Sequence, residues 1–241
     1  MAEPNPKISL IIPAYNEENY IGACLEHVQK NATDKFFEII VVDNASIDRT
    51  CEVAKSFSGV RVIREEKKGL TQARERGFRE AGGDILAYID ADTKMPPDWF
   101  NAIAREFSDN PKLAILSGPY SYYDLTLWQK PFINLYFFCA RPFYRFFGYM
   151  MIGGNFAVKR GVLEKMRGFD TSISFYGEDT DIARRAHQFG EVKFDAKLIM
   201  LTSARRLRYQ GIFKTAIIYT VNYLWVALRG KPITKKYIDV R

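Results

Sequence analysis

Three features of the amino-acid sequence predict an α/β fold with a mostly parallel central sheet flanked by helices. Short, β-branched apolar runs recur at residues 7–13, 38–43, 60–63 and 85–90, each the length of a strand buried on both faces. The stretches between them carry apolar residues at helical spacing. The runs at 7–13, 38–43 and 85–90 each give way to a polar or acidic cluster, which is where ligands gather in open α/β sheets.

Taken in order, residues 18–29 place Ile21, Cys24, Leu25 and Val28 on one stripe, and residues 48–57 do the same with Cys51, Val53, Ala54 and Phe57. Residues 70–80 bring Leu70, Ala73, Arg74, Gly77 and Phe78 together. Strands alternating with helices imply a parallel sheet joined by right-handed crossovers. Pro96 and Pro97, with Asp98 in the first turn, open a further helix through Phe107, and residues 113–116 supply another strand.

The second half changes character. Between Tyr120 and Met151 the sequence is crowded with aromatics, Trp128, Phe132, Tyr136 and Tyr149 among them, and dotted with Lys130, Arg141 and Arg145. Residues 212–228 are largely apolar but interrupted by Lys214 and Asn222, and fall short of the roughly 20 apolar residues of a spanning helix. They read as an amphipathic or buried helix. No charge-rich linker or internal repeat divides the chain, so one domain of 1–241 is expected, with a nucleotide-binding half (about 1–118), an acceptor-facing half (about 119–206) and an amphipathic helical tail (207–241).

The net charge of +7 suits nucleic acid, an anionic membrane surface or a phosphorylated substrate. Much of the excess lies late, in Arg205, Arg206, Arg208, Lys214, Arg229, Lys231, Lys235, Lys236 and Arg241, flanking the apolar helix. This pattern predicts contact with the surface of a membrane. The first seven residues carry no apolar segment after a basic start, and cytoplasmic residence, at the inner membrane face, is the default expectation. Cys24, Cys51 and Cys139 lack paired metal-ligand spacing and read as thiols in a reducing compartment.

The polar clusters carry the chemistry. Asp90-Ala91-Asp92 places two carboxylates at a strand end, where a hard cation such as Mg²⁺ or Mn²⁺ can be held together with a diphosphate; one or two carboxylates suffice for that. Pro13-Ala14-Tyr15-Asn16-Glu17, Asp43-Asn44-Ala45-Ser46 and the run Lys68-Gly69-Leu70-Thr71-Gln72-Ala73-Arg74 converge on the same rim. Downstream, Gly177-Glu178-Asp179-Thr180-Asp181 opens a helical run, and Met151-Ile152-Gly153-Gly154-Asn155 offers backbone without side chains for close approach. Each piece has an ordinary alternative: a solvated acidic turn, a helix cap or a favourably charged first helical turn. His27 and His187 lie in helical stretches and read as packing or surface residues.

In this order the motifs resemble the family 2 glycosyltransferases of GT-A (Rossmann-like) fold, from about Ile8 to about Arg206. The resemblance implies an inverting enzyme that moves a sugar from a nucleotide-diphosphate sugar, a UDP-sugar first, to an acceptor hydroxyl or phosphate, with a lipid-linked acceptor, a polysaccharide end and a small glycoside all open. It assigns the nucleotide to Pro13, Ala14, Tyr15, Glu17, Asp43, Asn44, Gly69 and Arg74. Asp90 falls on the ribose side with Ala91 beside it, Asp92 becomes the metal ligand, and Gly153, Gly154 and Asn155 flank the donor sugar. Asp179 becomes the general base, with Glu178 supporting the acceptor site. Where relatives supply a further metal-ligating His, this chain reads Leu201-Thr202-Ser203-Ala204-Arg205-Arg206. Either Asp92, diphosphate and water hold the metal, or Arg205 and Arg206 help neutralise the phosphates.

Two other readings compete. A sugar-phosphate nucleotidyltransferase needs a Gly-rich basic loop after the first strand, whereas this loop is acidic and lacks glycine. A non-enzymatic membrane or nucleic-acid module would use the aromatic, basic second half. The Phe-rich composition there suits a core or lipid-facing groove, and no nucleic-acid partner is expected.

Overall fold

The computed structural model describes residues 6–126, 129, 131, 133, 149–173 and 175–234. The expectations for Trp128, Lys130, Phe132, Tyr136, Cys139, Arg141, Arg145, Lys235, Lys236 and Arg241 fall outside the described residues.

The first half alternates as expected. Strands β1 (Ile8–Ala14), β2 (Glu38–Asp43), β3 (Val60–Arg64) and β4 (Ile85–Ile89) are connected by helices α1 (Ile21–Ala32), α2 (Thr50–Lys55) and α3 (Leu70–Glu80). Mostly apolar runs, Ile-Ser-Leu-Ile-Ile-Pro-Ala and Ile-Leu-Ala-Tyr-Ile, let β1 and β4 be buried along their whole length, as strands covered on both sheet faces are. Two helices begin later than the periodicity suggests. Glu17 C=O accepts from both Tyr20 and Ile21 N–H, making residues 18–20 a turn before α1. Asp48 Oδ1 accepts from Thr50 N–H at 3.0 Å, so Asp48 lies outside α2.

The chain continues through β5 (Thr93–Lys94), α4 (Trp99–Asp109), β6 (Leu113–Ser117) and β7 (Tyr120–Tyr122). After the aromatic stretch come β8 (Asn155–Lys159), α5 (Arg160–Met166), α6 (Glu178–Ala186), β9 (Glu191–Phe194), β10 (Met200–Thr202), α7 (Arg205–Gln210) and α8 (Ile212–Arg229). The main sheet has seven strands in the order β3-β2-β1-β4-β8-β6-β9. Strand β8 pairs antiparallel with both β4 and β6 and alone runs against the others. A second sheet, β5-β10-β7, was not foreseen, because its strands are two or three residues long.

That small sheet positions the site. It joins the segment after Asp92 to the segment before Arg205 through antiparallel pairing of Thr93 with Thr202, and holds Tyr120 alongside Met200. Beneath it, Trp99 is 2% exposed, and its indole N–H donates to Asn155 Oδ1 at 2.8 Å, giving a large apolar side chain a satisfied polar end.

Helix α8 is amphipathic. Thr215, Asn222 and Val226 are buried, and Asn222 accepts from Thr234 N–H while its amide donates to Ile218 C=O and Thr234 Oγ1. The polar break at Asn222 therefore ties the returning chain to the helix. Among the described residues, no helix is long and apolar enough to cross a membrane.

Candidate active site

The loops after β1 and β2 interlock. Asn16 and Ala45 adopt positive φ, and Asn16 N–H donates to Ser46 Oγ while Ile47 N–H donates to Asn16 Oδ1. Asn tolerates this conformation through its short polar side chain; for Ala it costs roughly 1 kcal/mol, which the surrounding hydrogen bonds offset. Glu17 N–H donates to Thr50 Oγ1 at 2.7 Å, fixing the acid at the mouth of the cleft.

Pro13, Glu17, Asp90, Ala91, Asp92, Arg205 and Arg206 line one cleft at the strand ends. Arg205 spans it: NH1 and NH2 hold both oxygens of Glu17, and Nε lies 3.0 Å from Asp92 Oδ2. Burial opposes the charge on Arg205, but Glu17 and Asp92 outweigh that and hold the guanidinium charged. Asp124 accepts from Ser203 Oγ–H and Ala204 N–H, capping the turn that launches Arg205. Arg206 stacks its guanidinium 4.4 Å from the Phe175 ring centroid.

A second cavity adjoins the first across Asp90, Tyr120, Tyr122 and Phe175, which line both. Its polar end holds Arg74, Gly153, Gly154, Glu178 and Asp179; its apolar end is formed by Met151, Leu207, Ile212, Ala216, Tyr219 and Tyr223. Arg74 is 1% exposed on the buried face of α3. It donates to Glu178 Oε1 at 3.1 Å and Gly153 C=O at 2.6 Å, and NH2 lies 3.8 Å from Asp90 Oδ1. Burial and the neighbouring Asp179 push the Glu178 carboxyl up to about 8, although Arg74 pulls the other way. Burial likewise raises Asp179, whose Oδ1 accepts from Thr180 N–H at 2.7 Å.

Glycines let these groups crowd. A Cβ on Gly153 would lie 2.8 Å from Glu178 Oε1 and 2.9 Å from Arg74 NH2, and one on Gly154 would collide with Asp90 and Tyr120 Oη. The Gly153-Gly154 pair thus makes room for the site's own side chains. Tyr120 O–H donates to Asp90 Oδ2 at 2.8 Å; burial and the Asp90 charge hold this phenol protonated, far above its ordinary range.

Other expected site residues sit elsewhere. Asp43 is fully buried and lines neither cavity: Oδ2 pairs with Arg64 at 2.6 Å and Oδ1 accepts from Ser46 N–H. Asn44 bonds Glu65 and Lys67 carbonyls and accepts from Gly69 N–H, bracing the entry to α3. Tyr15 packs under Lys68, whose Nζ is 3.9 Å from the ring centroid, and Ala14 belongs to the core. Asn155 faces away from the cavities and bonds Trp99, Pro119 and Leu198. A turn precedes it, with Asn155 N–H donating to Ile152 C=O, so proximity in sequence to Gly153-Gly154 does not bring its side chain to the cavity. Tyr120, Tyr122, Phe175 and Tyr219 escaped sequence reading because isolated aromatics look like core; the pair Tyr120 and Tyr122 just past a strand end was the available signal. Cys24 is buried and its thiol is pushed up to about 12, by burial first, so it stays unreactive.

The cleft suits a divalent cation by charge. Glu17, Asp90 and Asp92 outnumber Arg205 and Arg206 before any phosphate arrives. Among the described residues no three His, Cys, Asp or Glu side chains converge on one metal position. Mg²⁺ or Mn²⁺ would therefore be held by Asp92 together with diphosphate oxygens and water.

The seven-stranded, mostly parallel sheet flanked by helices is an α/β fold of GT-A type, and open α/β sheets place ligands at this edge of the strands. Residues 9–167 match Glycosyl transferase family 2. Similar curated proteins include a dolichol-phosphate mannosyltransferase of Pyrococcus furiosus, 38% identical over 113 residues (45% of this chain, 32% of that protein). The putative glycosyltransferase EpsH of Bacillus subtilis is 33% identical over 114 residues (46% and 33%), and the probable glycosyltransferase YdaM of the same organism is 29% identical over 202 residues (77% and 47%). The chain thus spans a third to a half of the length of these relatives. A solved mannosyltransferase from Pyrobaculum calidifontis in complex with GDP-Man and Mn²⁺ superposes with a TM-score of 0.66 at 21% identity, covering 88% of this chain and 64% of that one. Glucosyl-3-phosphoglycerate synthase from Mycobacterium tuberculosis gives 0.65 at 20% identity, covering 97% and 83%. The chain belongs to glycosyl transferase family 2.

Proposed function

We propose that the chain is an inverting glycosyltransferase that takes a sugar from a nucleoside-diphosphate sugar, a UDP-sugar first, and passes it to a lipid-linked hydroxyl or phosphate. The observation that carries this is the shared wall. Asp90 separates a carboxylate- and arginine-lined cleft, suited to nucleotide and diphosphate, from a cavity with Asp179 at one end and apolar side chains at the other. A divalent cation held by Asp92 would supply charge neutralisation for the departing diphosphate. The chain's own residues do the rest. Asp179 takes the proton from the acceptor oxygen as that oxygen attacks the anomeric carbon. Arg74 keeps Glu178 and Asp90 in place. Arg205 and Arg206 face the diphosphate. One base and one leaving group on opposite sides of the sugar make a single displacement, which inverts the anomeric centre.

The lipid-linked acceptor draws support from the apolar end of the second cavity and from α8. Phe213, Ile217, Val221, Trp225 and Leu228 form an exposed stripe along the helix, with Phe213 70% and Leu228 69% exposed. Lys214, Arg229 and Lys231 flank it, the composition that docks on an anionic membrane surface. Incubation with UDP- and GDP-sugars, lipid extract and Mn²⁺, followed by NMR of the product anomer, tests this reading. Transfer with inversion supports it; no turnover of any nucleotide sugar, or a product of retained configuration, refutes it.

A further inference from the structure

Asp92 is held by a cation from the chain itself, with the Thr202 hydroxyl on its other oxygen. Arg205 uses all three guanidinium nitrogens, two on Glu17 and Nε on Asp92 at 3.0 Å, and its guanidinium carbon lies 4.7 Å from the Tyr20 ring centroid. The arrangement is built rather than casual. Its side chain is 16% exposed, those of Glu17 and Asp92 are 2% and 11% exposed, and Asp124 caps the turn that aims the arginine.

A divalent ion on Asp92 and a guanidinium at hydrogen-bond distance from the same carboxylate repel each other, and the low-dielectric setting makes that repulsion strong. A diphosphate changes the balance, because its oxygens accept the same planar fork that Asp92 and Glu17 now fill. We propose that Arg205 is a latch: it closes Asp92 to divalent cations in the nucleotide-free chain and exchanges the carboxylate for diphosphate oxygens when donor enters. Metal and donor binding are thereby coupled, and the metal enters with or after the nucleotide. Arg205 is a positioning residue in this scheme, acting on the metal through Asp92. The proposal rests on the reading of this cleft as a nucleoside-diphosphate site.

The test is Mn²⁺ binding to the nucleotide-free chain, read by electron paramagnetic resonance, for wild type, Arg205→Ala and Arg205→Lys. UDP binding without metal is measured in parallel by calorimetry. Arg205→Ala is expected to bind Mn²⁺ roughly tenfold tighter than wild type, within the range of ordinary site-to-site coupling. Arg205→Lys, which keeps the charge but loses the three-point grip, falls between them. Adding Asp92→Asn to Arg205→Ala removes the gain. Metal-free UDP affinity falls in Arg205→Ala, since the diphosphate loses its fork. Nucleotide-free Mn²⁺ affinity unchanged in folded Arg205→Ala and Arg205→Lys overturns the latch, and if the alanine variant fails to fold the lysine variant decides. Wild type that binds no UDP or GDP with or without Mn²⁺ refutes the nucleotide reading instead, while the Mn²⁺ comparison still decides whether Arg205 controls Asp92.

Discussion

Replacing Asp179 with Asn tests the assignment of the base with little change of shape. Its Oδ1 accepts from Thr180 N–H at 2.7 Å, an interaction the Asn carbonyl oxygen reproduces, so α6 keeps its first turn. What disappears is a basic oxygen on the cavity wall, and a positioned general base is worth about 10²- to 10⁴-fold, or roughly 3–5.5 kcal/mol at 1.36 kcal/mol per tenfold. Donor affinity should hardly move, because Asp179 does not line the strand-end cleft. The pH profile adds a second readout. Burial raises Asp179 above its ordinary carboxylate value, and Glu178 beside it is pushed up to about 8. The base works only when ionised, so wild-type kcat/KM should fall as pH drops through a limb lying above the usual carboxylate range. In Asp179→Asn that limb should vanish. The assay is radiolabelled sugar transfer across about pH 3.5–9, a span that starts below the ordinary carboxylate value, with nucleotide affinity measured alongside. A variant retaining near-normal turnover, or losing donor affinity as steeply as turnover, refutes the assignment.

Arg74→Met should destabilise the chain by about 1–3 kcal/mol in urea melts, because Glu178 Oε1 and Gly153 C=O are left buried without their donor; an unchanged midpoint would show that these bonds contribute little. Gly154→Ala forces a methyl group against Asp90 and Tyr120, and an overpacked site of this kind costs about 1–3 kcal/mol; nucleotide affinity should drop with it, and wild-type affinity would mean that the strand-end cleft does not depend on the position of Asp90. Sedimentation with anionic vesicles should decline as salt rises and weaken further in Phe213→Asp and Ile217→Asp, since apolar contact and screened charge both contribute. Binding that ignores both the salt and the substitutions would remove α8 as the membrane contact.

Much of the first half of the chain was legible in the sequence. Buried parallel strands need unbroken apolar runs, so β2 and α3 appear with the bounds that the periodicity predicts, and Arg74 lies on the buried face where helical spacing put it. Strand ends were equally readable, since a polar cluster after such a run has to leave the sheet; that rule brought Glu17, Asp90 and Asp92 to one edge.

What the sequence by itself determined is therefore the local, periodic part: the alternation, the strand-end acids and the acidic first turn of α6. Partnership was decided by the tertiary structure. Asp43 closes β2 and Asp92 follows β4, both acids at the carboxyl end of a strand, yet Arg64 occupies the first and Arg205, 113 residues further along than Asp92, grips the second. Nothing in the local pattern distinguishes them. The contact between Asp92 and Arg205 exists because β5 and β10, each too short to leave a period, pair across more than 100 residues. Asn155 shows the converse: its neighbours in sequence line the cavity, but the turn at Gly153-Gly154 that leads into β8 leaves its side chain on Trp99, Pro119 and Leu198. A charge or amide has a role only relative to the group it faces, and that group is chosen by packing between distant segments.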